Sequence, residues 1–174
     1  MIWIGIDPGV SGAVAVIDGD TIMLHDVPAY RAKRGEKMND GMMCELLKRF
    51  NNTVPHLLAT FSPSRPLPEP AFCVLEDIYT KPGESNTSAL TIGRHWGLWK
   101  GILSAYCIPH EIALPSVWKK EFRLILHDKR ASRARAMELF PQMRGELAKR
   151  RPDFSEALLL AEYARRRHAG QVTK

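Results

Sequence analysis

Cysteine is scarce in this 174-residue chain: Cys44, Cys73 and Cys107, an odd number without a C-x-x-C pair. That count excludes a disulfide framework and a cysteine-based zinc site. It fits a reducing compartment, so a cytoplasmic protein is expected. Long apolar runs are missing too, and none approaches the roughly 20 residues that span a bilayer. The first strand pattern starts at Ile2, so no signal peptide is expected. His25, His56, His95, His110, His127 and His168 do not fall into zinc-ligand spacing and read as structural or surface residues. Internal repeats and a second composition regime are also absent, which gives a single domain over 1–174.

What the chain does have is enough apolar material for a core. Hydrophobic residues make up 45% of it, which argues against disorder. The net charge is +6, unevenly placed. Between Lys119 and Arg151 there are 11 Lys/Arg against 4 Asp/Glu, so this block carries more than the whole excess. Such a block is either a surface for a polyanion or a solvated helical face.

Residues 2–6, 12–18 and 21–27 read as three short strands, with Asp18-Gly19-Asp20 as a hairpin turn. Residues 30–38 (YRAKRGEKM) read as a mobile basic loop. Asn39 or Asp40 caps a helix to about Phe50, with Met43, Leu46, Leu47 and Phe50 on one face. Four prolines in 61–70 exclude helix and central strand, leaving a surface insertion. A buried strand, 71–75, ends at Glu76, and a long helix follows over about 88–106. Residues 108–114 form the last strand, Ser116 caps a short helix, and 129–140 and 143–150 form basic helices. The last helix runs from Asp153 to about His168. This order predicts an α/β protein with a mixed five-stranded sheet flanked by helices.

The acids stand at particular places in that order. Asp7, in WIGIDPGVSG, and Glu76, in VLEDIY, each close an apolar strand. If those strands are neighbours, the carboxylates meet at one sheet edge and repel unless a cation or a shared proton intervenes. Asp153 and Glu156 are three apart at the start of the last helix, hence on one face, and Leu158, Leu159 and Ala161 can pack that helix on the sheet. Each acid also has an ordinary reading. Asp-Pro-Gly is a common turn, Glu76 can be a solvated strand end, and Asp-x-x-Glu before an apolar run is a capping-box pattern. Four carboxylates around one point suit two-metal phosphodiester hydrolysis, with ions roughly 4 Å apart. Both Mg²⁺ and Mn²⁺ accept such oxygen ligands.

GIDPGVSG, VLEDIY and PDFSEALLLAEYA resemble, in order and spacing, the motifs of the RuvC family of Holliday-junction resolvases. EDIYTKPGESNTSALTIGRHWG also resembles that family's strand, junction loop and following helix, and coverage runs from about residue 2 to 165. The segments DKRASRARAMELFP and EALLLAEYARR look closest to phage-encoded and organellar members. Two departures stand out. Glu156 occupies a position where bacterial members more often carry Asp, and the 61–70 stretch is extra.

The resemblance implies an RNase H-like fold and a homodimer that cuts four-way DNA junctions by paired symmetric nicks. It implies two Mg²⁺ ions, with Mn²⁺ as substitute, on Asp7, Glu76, Asp153 and Glu156. Lys119 would reach the scissile phosphate. Tyr79 would stack on bases at the junction centre, with Lys81, Lys120, Lys129, Arg130 and Arg133 as further DNA contacts. Gly93, Gly97 and Gly101 recur along one helix face, open either to packing within the monomer or to a dimer partner. Trp96 and Trp99, mid-helix, read as core or interface residues. Three alternatives stay open: another RNase H-class nuclease, a catalytically silent junction-binding module, and an actin-like ATPase, for which the chain is short.

Overall fold

The computed structural model describes residues 1–32, 35–50, 70–78, 83, 85–124 and 129–169. The proline-rich stretch, except Pro70, lies outside them, as do Tyr79 and Lys81. Strands β1 (Ile2–Asp7), β2 (Ala13–Asp18) and β3 (Thr21–Asp26) form an antiparallel meander. Gly19, at φ 55°, permits the two-residue turn that pairs Asp18 with Thr21.

Next come β4 (Ala29–Ala32), β5 (Gly35–Met38) and helix α1 (Asp40–Lys48), then β6 (Ala71–Glu76). Helix α2 (Asn86–Ala105) crosses over to β7 (His110–Ala113). The sheet order is β3-β2-β1-β6-β7, with β6 parallel to β1 and β7 parallel to β6. The expected mixed five-stranded sheet is therefore present, and β1, β3, β6 and β7 all end at the same edge.

Two local expectations are corrected. The described part of 30–38 is not loop: β4 and β5 pair as a separate two-stranded sheet. Its base is closed by the Asn39 N–H donating to the Pro28 carbonyl at 2.8 Å, and Met38 is buried in the core. Ser116 is not a cap. Helix α3 (Pro115–Glu121) opens after Leu114 without a side-chain cap, because proline at the first position has no N–H to satisfy. By contrast, the Asn39 side chain accepts from the Met42 N–H at 3.1 Å and caps α1 as expected.

The remaining described residues are mainly helical. Helix α4 (Lys129–Leu139) is followed by a 3₁₀ turn (Pro141–Met143), the short α5 (Arg144–Leu147) and α6 (Pro152–His168). Among the described residues, no helix is long and apolar enough to cross a membrane.

Strand alternation sorts side chains to two cores. Ile4, Ile6, Val14, Val16, Cys73 and Leu75 meet α1 and α2 through Met43, Leu47, Trp99 and Leu103. Trp3, Ala13, Ala15, Ile17 and Val74 face α6. Helix α6 is buried without a break from Asp153 to Ala164, because the sheet covers one side and α3 to α5 cover the other. Its contact with β1 is close. A Cβ on Gly5 would overlap the Ala157 carbonyl oxygen and the Ala161 amide nitrogen, so only glycine lets the helix lie there.

Candidate active site

The same alternation decides where the acids go. Trp3, Gly5 and Asp7 share one face of β1, and Phe72, Val74 and Glu76 share one face of β6; Trp3 and Val74 place both sets on the α6 side. Ile6 pairs with Leu75, so Asp7 and Glu76 are the next residues in register at the sheet edge. On α6, Ala157 sits over Gly5, and Asp153 lies one turn before it. Asp7 and Asp153 are each 8% exposed and Glu156 is 3% exposed, an uncommon degree of burial for carboxylates.

Asp7 also serves its turn. Its Oδ1 accepts from the Gly9 N–H at 3.3 Å. Gly12 must be glycine, since a Cβ there would overlap the Asp7 carbonyl oxygen. The helix acids do not form a cap: Arg151 is the N-cap of α6, without a side-chain bond, and Asp153 and Glu156 lie inside the helix.

The charges of these acids act on each other. Burial first, then the Asp7 carboxylate, raise Glu76 from 4.5 to about 7; Glu156 adds to the rise, while a hydrogen bond from Trp118 and the charge of Lys119 oppose it. Trp118 Nε1 donates to Glu76 Oε1 at 2.9 Å, and Trp96 Nε1 donates to the Glu76 carbonyl at 3.3 Å. Glu156 Oε1 is held by Lys119 Nζ at 2.8 Å and by the buried Ser132 hydroxyl at 3.1 Å. Asp153 Oδ2 lies 3.9 Å from Arg151 Nε, and Arg151 also binds Asp26 Oδ1 at 2.7 Å.

The donor chemistry fits a hard divalent cation: oxygen ligands only, of one charge, with Asp7 and Glu156 near enough to Glu76 to raise its pKa. Among the described residues, however, no three His, Cys, Asp or Glu side chains are gathered into a ready ligand set.

The remaining basic residues fall into two groups. Lys120 is exposed on α3, and Arg130 is exposed on α4. Arg133 is turned inward, donating to the Arg150 carbonyl at 2.6 Å, and thereby holds α4 to the approach of α6. Lys129 opens α4. Part of the basic block is neutralised locally, through Arg135–Glu138, Arg150–Glu146 and Arg151–Asp26 pairs. Trp99 is fully buried, as a core reading requires, and Cys107 is exposed.

Trp118 and Ser132 were not legible as site residues. Trp118 stands 42 positions from Glu76, and Ser132 stands 24 from Glu156. The one sequence signal is that Trp118 directly precedes Lys119, so α3 presents a neutral donor and a cation side by side.

A mixed five-stranded sheet, a crossover helix and a closing helix laid on the central strand define an RNase H-like fold. Two solved structures share it over nearly their whole length. One, T. thermophilus RuvC in complex with a Holliday-junction substrate, matches with TM-score 0.58 and 16% identity, covering 99% of this chain and 97% of that one. The other, Thermus thermophilus RuvC, matches with TM-score 0.51 and 17% identity, covering 95% and 96%. No family model and no curated protein sequence matches the chain.

Proposed function

We propose that this protein is a metal-dependent endonuclease that resolves four-way DNA junctions by paired symmetric nicks, acting as a homodimer. The carrying observation is that Asp7 and Glu76 end neighbouring strands on the sheet face covered by α6, the helix that carries Asp153 and Glu156, in a fold that matches a junction-bound RuvC. These acids would hold two Mg²⁺ ions, or Mn²⁺ in their place, which supply an activated water and stabilise the leaving oxygen.

The chain's own residues prepare the acids. Trp118 and Ser132 fix the orientation of Glu76 and Glu156. Lys119 brings a cation to the same edge, where a phosphate's developing charge would need it. Exposed Lys120 and Arg130 suit backbone phosphates, and binding through them weakens as salt rises. A two-fold substrate cut twice is matched by a two-fold enzyme. Gly93, Gly97 and Gly101 support one, because a Cβ on any of them would meet nothing among the described residues. The strip is therefore open to a second copy.

The Lys119–Glu156 pair also favours a second reading, a junction-binding module in which the ammonium permanently replaces an ion. Both readings meet one experiment: Mg²⁺-dependent cleavage of a synthetic four-way junction beside a linear duplex of the same sequence. Paired nicks in the junction alone establish the resolvase. Tight junction binding without cuts establishes the silent module, and preferential cutting of an RNA–DNA hybrid moves the protein to another nuclease class.

A further inference from the structure

Away from the acids, a groove of about 280 Å³ lies between the β4–β5 hairpin and α2. Tyr30 and Lys37 are direct cross-strand partners, so they stand on one face of the hairpin. Thr91, Arg94, His95 and Leu98 follow i, i+3, i+4 and i+7 spacing, one stripe of α2. These six residues line the groove. Tyr30 is 50% exposed, a large area for an aromatic ring. Among the described residues, neither Lys37 nor Arg94 has an ion-pair partner, unlike Lys119, Arg135, Arg150 and Arg151 of the basic block. The one acid at the rim, Asp40, accepts from the Gly41 N–H at 3.0 Å in the first turn of α1. His95 has its pKa lowered by burial, so near neutral pH it offers hydrogen bonding without charge.

The groove's position matters as much as its chemistry. β3 runs parallel to β1, so Asp26 and Asp7 end at the same edge, and the hairpin starts just beyond Asp26. Helix α2 starts soon after Glu76, and the groove residues occupy its first half and middle. The groove therefore lies on the side of the molecule where the acids converge, but on the opposite face of the sheet from α6.

We propose that this groove is a second nucleic-acid contact, in which Lys37 and Arg94 hold phosphates of one DNA arm and Tyr30 packs on the sugar or base beside them. Two unpaired cations flanking an exposed aromatic ring form the pattern with which proteins track a polynucleotide strand. The chemistry selects a polyanion over an apolar peptide, since the groove places both charges beside its aromatic and aliphatic walls. The proposal rests on the junction reading and adds to it a contact outside the cut site.

The test is equilibrium binding of a labelled four-way junction in Ca²⁺ or EDTA, so that cleavage does not intervene, across a salt series. For Lys37→Gln/Arg94→Gln, loss of two phosphate contacts should weaken binding about tenfold near physiological salt and flatten the log–log salt slope by about 1.8. Tyr30→Ala should weaken binding without changing that slope, and Lys37→Arg/Arg94→Lys should bind as the parent does. Parent-like affinity and slope in the double Gln variant overturn the proposal while leaving the junction reading intact. A double variant that changes only the oligomeric state also overturns it and assigns the groove to self-association. Failure of the parent protein to bind any junction removes the junction reading itself, and this proposal with it.

Discussion

Lys119 Nζ lies 2.8 Å from Glu156 Oε1, in a pair whose glutamate side chain is 4% exposed and whose lysine side chain is 23% exposed. Removing the lysine withdraws a cation from a buried carboxylate, which costs more than the pair itself contributes. Lys119→Met should therefore lower the stability of the metal-free protein by about 3 kcal/mol at neutral pH. Urea denaturation with and without Mg²⁺ measures it. Added Mg²⁺ should restore more stability to the variant than to the parent, and equal stabilities without metal would show that Lys119 does not stabilise the Glu156 carboxylate.

Asp7→Asn should abolish junction cleavage while leaving junction affinity within about twofold. The amide keeps the shape and can still accept from the Gly9 N–H, but it loses the charge a cation needs. Single-turnover cleavage at saturating Mg²⁺ is the measurement, and substantial remaining turnover would remove Asp7 from the metal site.

Glu76 should make the metal-free protein lose stability with rising pH. Its folded value is about 7 against an ordinary 4.5, because burial and then the Asp7 charge favour its neutral form. The folded state thus holds a proton that the unfolded state has released. The favourable contribution is complete below 4.5 and is lost as pH rises through about 7, by roughly 3 kcal/mol for a shift of this size. Glu76→Gln should flatten that limb of the stability profile, and an unchanged profile would place the titration elsewhere.

Gly5→Ala should be more damaging than its single methyl suggests. The new Cβ would overlap backbone atoms of Ala157 and Ala161, which no side-chain rotation relieves. Helix α6 must lift from β1, carrying Asp153 and Glu156 with it. A loss of about 3 kcal/mol, at the upper end for overpacking, should come with weakened Mg²⁺ binding measured by calorimetry. Loss of stability with unchanged Mg²⁺ affinity would separate the helix position from the acids.

The strands that carry Asp7 and Glu76 were readable because each is an apolar run stopped by an acid, and burial on both faces leaves such runs little alternative. The pairing of β4 with β5 was not. Its charges read as a loop, while the features that make it a hairpin are the Pro28–Asn39 clamp and the burial of Met38, both decided by the neighbouring core. Ser116 misled because a helix can start on Pro115 with no cap at all. Trp118 and Ser132 stayed hidden for another reason. Their partners are acids far along the chain, and no local pattern records a contact made only when α3 and α4 close over α6.

Gly5 and Asp7 share a face of β1, two residues apart, and this ties assembly of the acids to sheet register. A slip of one residue between β1 and β6 would turn Glu76 towards the opposite core, away from Asp7 and α6. A half-formed site therefore has no counterpart among native-like states: pairing is either in register, with the acids together, or it is lost along with the core. The amides of β1 and β6 should then rank among the slowest to exchange with solvent. Function would be lost in the same cooperative step as the fold, with no earlier fraying of the acids.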